Sequence, residues 1–449
     1  MDNIKLIDEI LTRGKTKMKE LETYLVKNKS IEIGVFKGEL DKYSISESGG
    51  LSLRGIANEK MGYAYTEKLD ESSIDMLIED AFENGRYIDI VDGDEIFNGS
   101  PEYGEINVYN SSLTAVPIED KIEFAKNIEK FAYTLDNRVV AVQNCGYQEF
   151  EQEKMLKNTN GVDLHHKQNG GLAYISVVVK DGDDTKTGIG YRVFSNLSTI
   201  DSKDIAKDAV DEAISMLGAT PIKTGDYPTV IKNKIFADLL EAFTSVFSAD
   251  SAQKGLSLLK DKVGEEIATP VLTLVDNPLL EEGFATSSFD DEGTSTKYKK
   301  VIDKGVLKTL LHNWRTAKKE GIESTGNGSR TSYKSTLAIS PSNFYVEKGE
   351  TSFDDIIKDI DIGVYIISVA GLHSGLNPVS GDFSLSAYGY EILNGKINRP
   401  INQITIAGNF FELLKNIEVI GDDLKFGFPG NGYFGSPTVK VKSLSIAGE

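Results

Sequence analysis

Histidine, cysteine and tryptophan are nearly missing from this chain, with four, one and one in 449 residues. Cys145 has no second thiol to pair with, so an internal disulfide is excluded and a reducing compartment is the expected setting. The histidines are His165, His166, His312 and His373, which leaves the whole stretch between 166 and 312 without an imidazole. Positive charge is short as well: 49 Lys and Arg stand against 69 Asp and Glu, a net charge of −20. Nucleic-acid affinity comes largely from Lys and Arg displacing counterions from phosphates, so no nucleic-acid partner is expected. No run approaches the roughly 18 apolar residues that cross a bilayer, so no membrane partner is expected either. The opening Met1-Asp-Asn-Ile-Lys lacks a basic segment followed by an apolar one, so no signal peptide is expected and the default localisation is cytoplasmic.

What is present describes an ordinary folded protein. A hydrophobic content of 40% and a charged content of 26% fit a chain long enough for two or three cores. Ile4, Ile7, Ile10, Leu11, Met18, Leu21 and Leu25 recur at spacings of three, four and seven, which predicts one amphipathic helix over residues 2–28. Alternation over 31–36, 43–46 and 51–56 predicts antiparallel strands joined by turns at Gly38 and Gly49-Gly50. Asp70 or Ser72 then caps a helix that buries Leu77, Ile78, Ala81 and Phe82. After a linker over about 91–116 the order recurs: a helix over 118–133, strand-like runs at 138–143, 171–179 and 188–193, and a helix opened by Asp201. The fold class is therefore α+β, with an N-terminal α+β domain (1–220) of two related units. Pro221 and Gly225 mark a boundary. Beyond it the domain 221–449 is mostly β, with strand-like runs at 229–231, 268–275, 300–303, 336–339, 364–369, 404–406 and 438–446. That many strands with few helices predict a closed or sandwiched sheet.

The densest signal lies in Gly371-Leu-His-Ser-Gly-Leu-Asn-Pro-Val-Ser-Gly-Asp-Phe-Ser384. Gly371, Gly375, Pro378 and Gly381 shape a tight loop between the apolar runs 364–369 and 390–393. With it come Phe289-Asp-Asp-Glu-Gly293, Ser324-Thr-Gly-Asn-Gly-Ser-Arg330, Ile404-Thr-Ile-Ala-Gly-Asn409 and Ile420-Gly-Asp-Asp-Leu424. In this order and spacing the blocks resemble the TldD/PmbA family, once called modulators of DNA gyrase, in detail over residues 225–449 and more coarsely over the rest.

That resemblance implies a β-barrel-like C-terminal domain, and it separates two branches. TldD-like chains carry H-E-x-x-x-H on a helix opening the C-terminal half, plus a cysteine near the C-terminus, and bind a metal with them. The corresponding helix here, Phe236-Ala-Asp-Leu-Leu-Glu-Ala-Phe-Thr-Ser-Val-Phe247, has no histidine, and the tail Gly427-Phe-Pro-Gly-Asn-Gly-Tyr-Phe-Gly435 has no cysteine. The chain is thus similar to the PmbA/TldE branch. The resemblance implies a subunit with no metal and no catalytic residue of its own, paired with a TldD-like metallopeptidase chain that supplies zinc and cuts unfolded peptides. A homodimer is the expected substitute pairing for the isolated chain. Asn377, Ser380, Asp382, Ser384 and Asn409 are the candidate substrate-binding residues.

Other readings stay open at this stage. His312, beside the lone Trp314, and His373, inside the glycine-rich loop, form an alternative site for a stand-alone hydrolase if their segments meet. A regulatory binding protein is the third reading. Asp290, Asp291 and Glu292 offer three carboxylates to a hard cation, but the spacing of a calcium loop is missing, and a solvated turn is favoured. His165 and His166 are expected on an exposed loop and point apart, which makes a poor chelate. Cys145 sits in an apparent strand, and an inert buried thiol is expected.

Overall fold

The computed structural model describes residues 2–87 and 95–449; the first part of the expected linker, 91–94, lies outside them. The helix α1 (Asn3–Gly14) leads into β1 (Glu20–Phe36), β2 (Glu39–Ala57) and β3 (Lys60–Thr66), then α2 (Ile74–Arg86). A turn α3 (Ser111–Thr114) precedes α4 (Ile118–Leu135), β4 (Val139–Asn158), β5 (Asp163–Asp181), β6 (Asp184–Phe194) and α5 (Ser202–Ser215). The six strands form one antiparallel sheet in the order β3-β2-β1-β4-β5-β6. β1 and β4 pair at its centre from Glu22↔Asn158 to Gly34↔Gly146. Helix, three strands and helix therefore occur twice, back to back, and β2 and β5 are both 19 residues long.

Side-chain parity divides the sheet into two faces. On β1, Leu21 and Leu25 pack with Leu6, Ile10, Leu77 and Ala81. Further along the same strand Ile33 and Val35 pack with Ala125, Ile128 and Ala209. All four main helices thus lie on the odd-numbered face. The even-numbered residues Tyr24 and Val26 pack instead with Tyr333 of the C-terminal half, so the second face of the sheet looks onto the second half of the chain.

Two local expectations are corrected. The helix predicted over 2–28 stops at Gly14, and β1 begins at Glu20. Leu21 and Leu25 are four apart, a spacing that suits a strand face as well as a helix face, and in the sheet Thr23 completes the alternation. No turn forms at Gly49-Gly50 either, because β2 runs straight through both. A Cβ on Gly50 would lie 2.3 Å from the Tyr333 ring, so this glycine admits a ring of the C-terminal half. Asp70 caps the 3-10 turn Glu71–Ser73 that leads into α2, its Oδ1 accepting from the Ser72 N–H at 2.9 Å, whereas the N-cap of α2 itself is Ser73 with no side-chain cap bond.

The C-terminal half contains a closed five-stranded barrel. Strand β7 (Gly225–Ile231) runs parallel to Ile362–Ala370, which pairs with Asp382–Leu393, and that strand pairs with Lys396–Asn409. Lys396–Asn409 closes onto Val439–Ala447, which returns to β7. Helix α6 (Asn233–Ala242) packs Phe236, Leu239 and Leu240 into the same core as Val364, Leu385, Ile406 and Val441. A second, mixed sheet holds Leu274–Asp276, Lys299–Asp303, Asn343–Val346 and Tyr433–Ser436. The strands expected over 268–275 and 336–339 shrink to Leu274–Asp276 and Ala338–Ile339. Pro270 has no N–H to give a ladder, which fits the late start of the first. No helix among the described residues is long and apolar enough to cross a membrane.

Candidate functional site

Between the open face of the N-terminal sheet and the C-terminal half lies a cavity of about 620 Å³, within the ordinary range for ligand sites. Its floor is made by Ser30 and Glu32 of β1, Gln148, Phe150, Gln152 and Lys154 of β4, and His166, Gln168 and Leu172 of β5. Its roof is made by loops at 284–291, 326–331, 340–342 and 428–432. Amide and hydroxyl side chains dominate, and the Phe150 and Phe284 rings meet across floor and roof with centroids 6.2 Å apart. Such a lining offers hydrogen bonds to neutral polar groups and aromatic surface to apolar ones.

One end of the cavity is a buried ion network that joins the two halves. Asp291 Oδ1 accepts from the Tyr24 hydroxyl at 2.9 Å and from Lys154 Nζ at 3.1 Å, and its Oδ2 accepts from the Arg330 backbone N–H at 2.8 Å. Glu22 Oε1 accepts from Arg54 Nε at 2.7 Å and from Arg330 Nη2 at 2.8 Å. The Arg330 guanidinium also lies 4.7 Å from the centre of the Tyr24 ring. Asp290 accepts from the N–H groups of Glu292, Thr294 and Gly328. The solvated turn expected at 289–293 is thus corrected: Phe289, Asp290, Asp291 and Glu292 are all buried. Cations and backbone donors from distant segments compensate these carboxylates, as burial requires. Burial and then Glu292 hold Asp290 well above the usual carboxylate range. Burial also raises Glu292, against the pull of Arg54.

The histidine pair is corrected too, since both lie on strand β5. Their side chains do point apart: His165 is exposed and pairs with Glu153 at 2.8 Å, whereas His166 is buried in the cavity floor. Burial first, then Lys154, pushes the His166 pKa down from 6.5 to about 4. The folded chain therefore prefers the neutral ring, and this contribution to stability is complete above pH 6.5 and fades as pH falls toward 4. At about 1.4 kcal/mol per pH unit it is worth roughly 3 kcal/mol. Urea titrations of the native protein and His166→Gln between pH 7 and 4 should show that component in the native protein alone.

The residues singled out in the glycine-rich loop form a closed local circuit. Asn377 Oδ1 accepts from the Val379 N–H at 3.0 Å, and Ser380 Oγ donates to Asp382 Oδ2 at 2.8 Å. Asn409 Nδ2 donates to Asp382 Oδ1 at 2.9 Å and to the Ser380 carbonyl at 2.8 Å. Asn409 Oδ1 meanwhile caps the helix Phe410–Lys415. Ser384 is exposed on a barrel strand, and none of the five lines the cavity. His312 is buried, its imidazole pKa lowered by burial, with Nε2 3.8 Å from Glu320. His373 is exposed and acts electrostatically on Glu241. The two histidines share no hydrogen bond or ion pair. Cys145 is buried, and desolvation pushes its thiol up to about 12.

Helix α6 carries Asp238 and Glu241, on the segment that the family resemblance sets against the TldD-like histidine motif. Both are raised by burial. The loop 427–432 lies against them: a Cβ on Gly427 would be 3.7 Å from Asp238 Oδ1, and one on Gly430 3.6 Å from Glu241 Oε1. The same loop roofs the cavity. Two carboxylates without imidazole or thiolate do not fit a catalytic zinc, which takes three protein ligands of mostly nitrogen or sulfur type. Among the described residues no group of three or more His, Cys, Asp and Glu side chains is placed to hold a metal ion.

A strand-rich barrel joined to a doubled α+β unit, with a large cleft between them, defines the class, and sequence comparison assigns it. PmbA/TldA metallopeptidase profiles match throughout: domain 1 over residues 21–85, the central domain over 111–217 and the C-terminal domain over 224–448. The chain belongs to the PmbA/TldD metallopeptidase family. A metalloprotease TldD homolog of Buchnera aphidicola is 27% identical, covering 95% of this chain and 90% of its own. A metalloprotease PmbA homolog of the same strain is 23% identical, covering 94% and 92%. Among solved structures, a candidate modulator of a DNA gyrase from Thermotoga maritima superposes with a TM-score of 0.91 at 32% identity, over 99% of this chain and 100% of its own. TldE from Thermococcus kodakarensis shares the fold, with a TM-score of 0.91 at 24% identity over 99% and 100%.

Proposed function

We propose that this chain is the metal-free, PmbA/TldE-like subunit of a two-chain metallopeptidase, in which a TldD-like partner supplies the zinc and performs the hydrolysis. The observation that carries the reading is helix α6, which presents Asp238 and Glu241 and no histidine where the metal-binding branch has H-E-x-x-x-H. Overall identity does not separate the branches, since the Buchnera TldD and PmbA homologs are 27% and 23% identical to it; the donor set does. That one Buchnera strain has both kinds of chain supports a pairing of unlike subunits.

In this reading the chain's own task is to hold the substrate. An unfolded peptide has unpaired N–H and C=O groups along its length, and Gln148, Gln152, Gln168, Asn327 and Ser342 of the cavity are suited to them without regard to sequence. Phe150, Phe284 and Phe428 take apolar side chains. Substrate contact is assigned to this cleft; in the Asn377–Ser384 loop, Asn377 Oδ1, Ser380 Oγ and both Asp382 oxygens are engaged within the loop or by Asn409. Peptide cleavage should appear when the chain is mixed with a TldD-like chain from the same cell and be absent from this chain alone. Cleavage by this chain unaided, lost in His373→Ala, would favour the stand-alone hydrolase instead.

A further inference from the structure

The cleft is short of free charge, in a chain whose net charge is −20. The ionisable side chains in its wall are Glu32, Glu149, Lys154, His166, Asp290, Asp291 and Arg330. Lys154 is paired with Asp291, and Arg330 with Glu22 across the two halves. Glu149 Oε2 lies 2.7 Å from Nζ of Lys121, a buried residue of α4. Glu32 Oε2 lies 2.7 Å from Lys42 Nζ. His166, with a pKa of about 4, is an uncharged ring at neutral pH. Asp290 is held by backbone N–H groups, and its burial favours the proton-bound, uncharged form. The wall therefore keeps no charge to spare for a ligand.

This pairing belongs to the cavity and is not general. A smaller neighbouring pocket of about 320 Å³ shares Gln168 and Phe284 with it and contains Glu281 and Glu282, both exposed and outside every ion pair of the described residues. In the cleft itself a charged side chain loses water and finds the opposite charges already engaged, which costs free energy for either sign. An amide, hydroxyl or aromatic side chain meets partners of its own kind in Gln148, Gln152, Gln168, Phe150 and Phe284.

We propose that the cleft sorts peptides by charge, taking uncharged stretches rich in Ser, Thr, Asn, Gln, Gly and aromatic residues and rejecting those that carry Lys, Arg, Asp or Glu. This rests on the cleft being the surface that holds the peptide, and it adds a preference: hydrogen bonds to a backbone ignore sequence, but the walls do not ignore charge. The net charge of −20 would by itself draw cationic peptides, so the two expectations part over lysine.

Competition for the full chain, without a partner and at neutral pH, tests the preference. A fluorescent, end-capped peptide of Gly, Ser, Asn and Phe is followed by anisotropy and displaced by three unlabelled peptides: the same sequence, one with a central Lys-Lys, and one with a central Glu-Glu. Neighbouring residues of an extended peptide point to opposite sides, so one of each charged pair faces the wall in either register. The uncharged peptide should compete at least about tenfold better than either charged one. Gln152→Glu, whose cross-strand neighbours Asn28 and Gln168 offer no cation, should move the Lys-Lys peptide ahead of the uncharged one. A charged peptide that competes with the native chain as well as the uncharged one would overturn the proposal, as would an unchanged order in Gln152→Glu or no binding of the labelled peptide. The two-chain reading is judged separately: cleavage by the mixture that is indifferent to peptide charge would leave that reading standing and sink this one.

Discussion

Glu22→Ala should cost this chain roughly 3–5 kcal/mol, the range seen when one member of a buried ion network is removed. The Glu22 side chain is fully buried, and it stands between Arg54 of the N-terminal sheet and Arg330 of the C-terminal half. Taking it away removes the carboxylate oxygen that both guanidinium groups bond in a buried site, where Glu292 acts on them electrostatically. Urea unfolding at pH 7 measures the loss directly. Glu22→Gln keeps an acceptor for one arginine and should cost less than Glu22→Ala. Should Glu22→Ala unfold within about 0.5 kcal/mol of the native chain, as exposed substitutions do, the network would not be what holds the two halves in register.

Gly62→Ala and Gly190→Ala should be the next most damaging single changes, and they should resemble one another. A Cβ at Gly62 would lie 1.8 Å from the Ala81 carbonyl oxygen of α2, and one at Gly190 would lie 2.0 Å from the Ile205 carbonyl oxygen of α5. Both contacts are with helix backbone, which cannot swing aside as a side chain can. In each unit the last strand therefore sits against its helix only because a glycine faces it. Overpacking of a core ordinarily costs about 1–3 kcal/mol, and backbone contacts this short place both substitutions at or above the top of that range. Thermal unfolding of the two variants beside Gly182→Ala separates packing from conformation, because a Cβ at Gly182 meets nothing within 4 Å although its φ is +59°. Equal, small losses at all three positions would remove the packing explanation.

Much of the architecture was legible because it rests on short-range patterns. Alternation at Ile31–Phe36 and at Val364–Val369 marks strands that the structure contains, and recurrence of helix, strands and helix is present in the doubled sheet. What was misread has a common cause: residues whose role is set by distant partners. Gly49-Gly50 looks like a turn until Tyr333, from the other half of the chain, needs the space. Asp290, Asp291 and Glu292 look like a solvated turn because nothing nearby in sequence neutralises them; Tyr24 reaches Asp291 across 267 positions and Lys154 across 137. The cleft was invisible for the same reason, being built from β1, β4, β5 and four C-terminal loops. The signal available for it is modest: Gln148, Gln152 and Gln168 fall at alternate, even-numbered positions of two paired strands and so share one face. The glycine-rich loop stands out by composition, and hydrogen bonds of Asn377 Oδ1, Ser380, Asp382 and Asn409 shape its turn. The absence of histidine from α6 is plain in the sequence, and the fold adds only what stands there instead, a half-buried Asp238 and an exposed Glu241 beside the 427–432 loop.

The central claim, that this chain grips no catalytic metal, is tested most directly by dialysing the purified full-length protein to equilibrium against buffered zinc and measuring bound metal by mass spectrometry. The account predicts that zinc stays far below one per chain and is unchanged by Asp238→Ala or Glu241→Ala. One zinc per chain, lost in either variant, would contradict it.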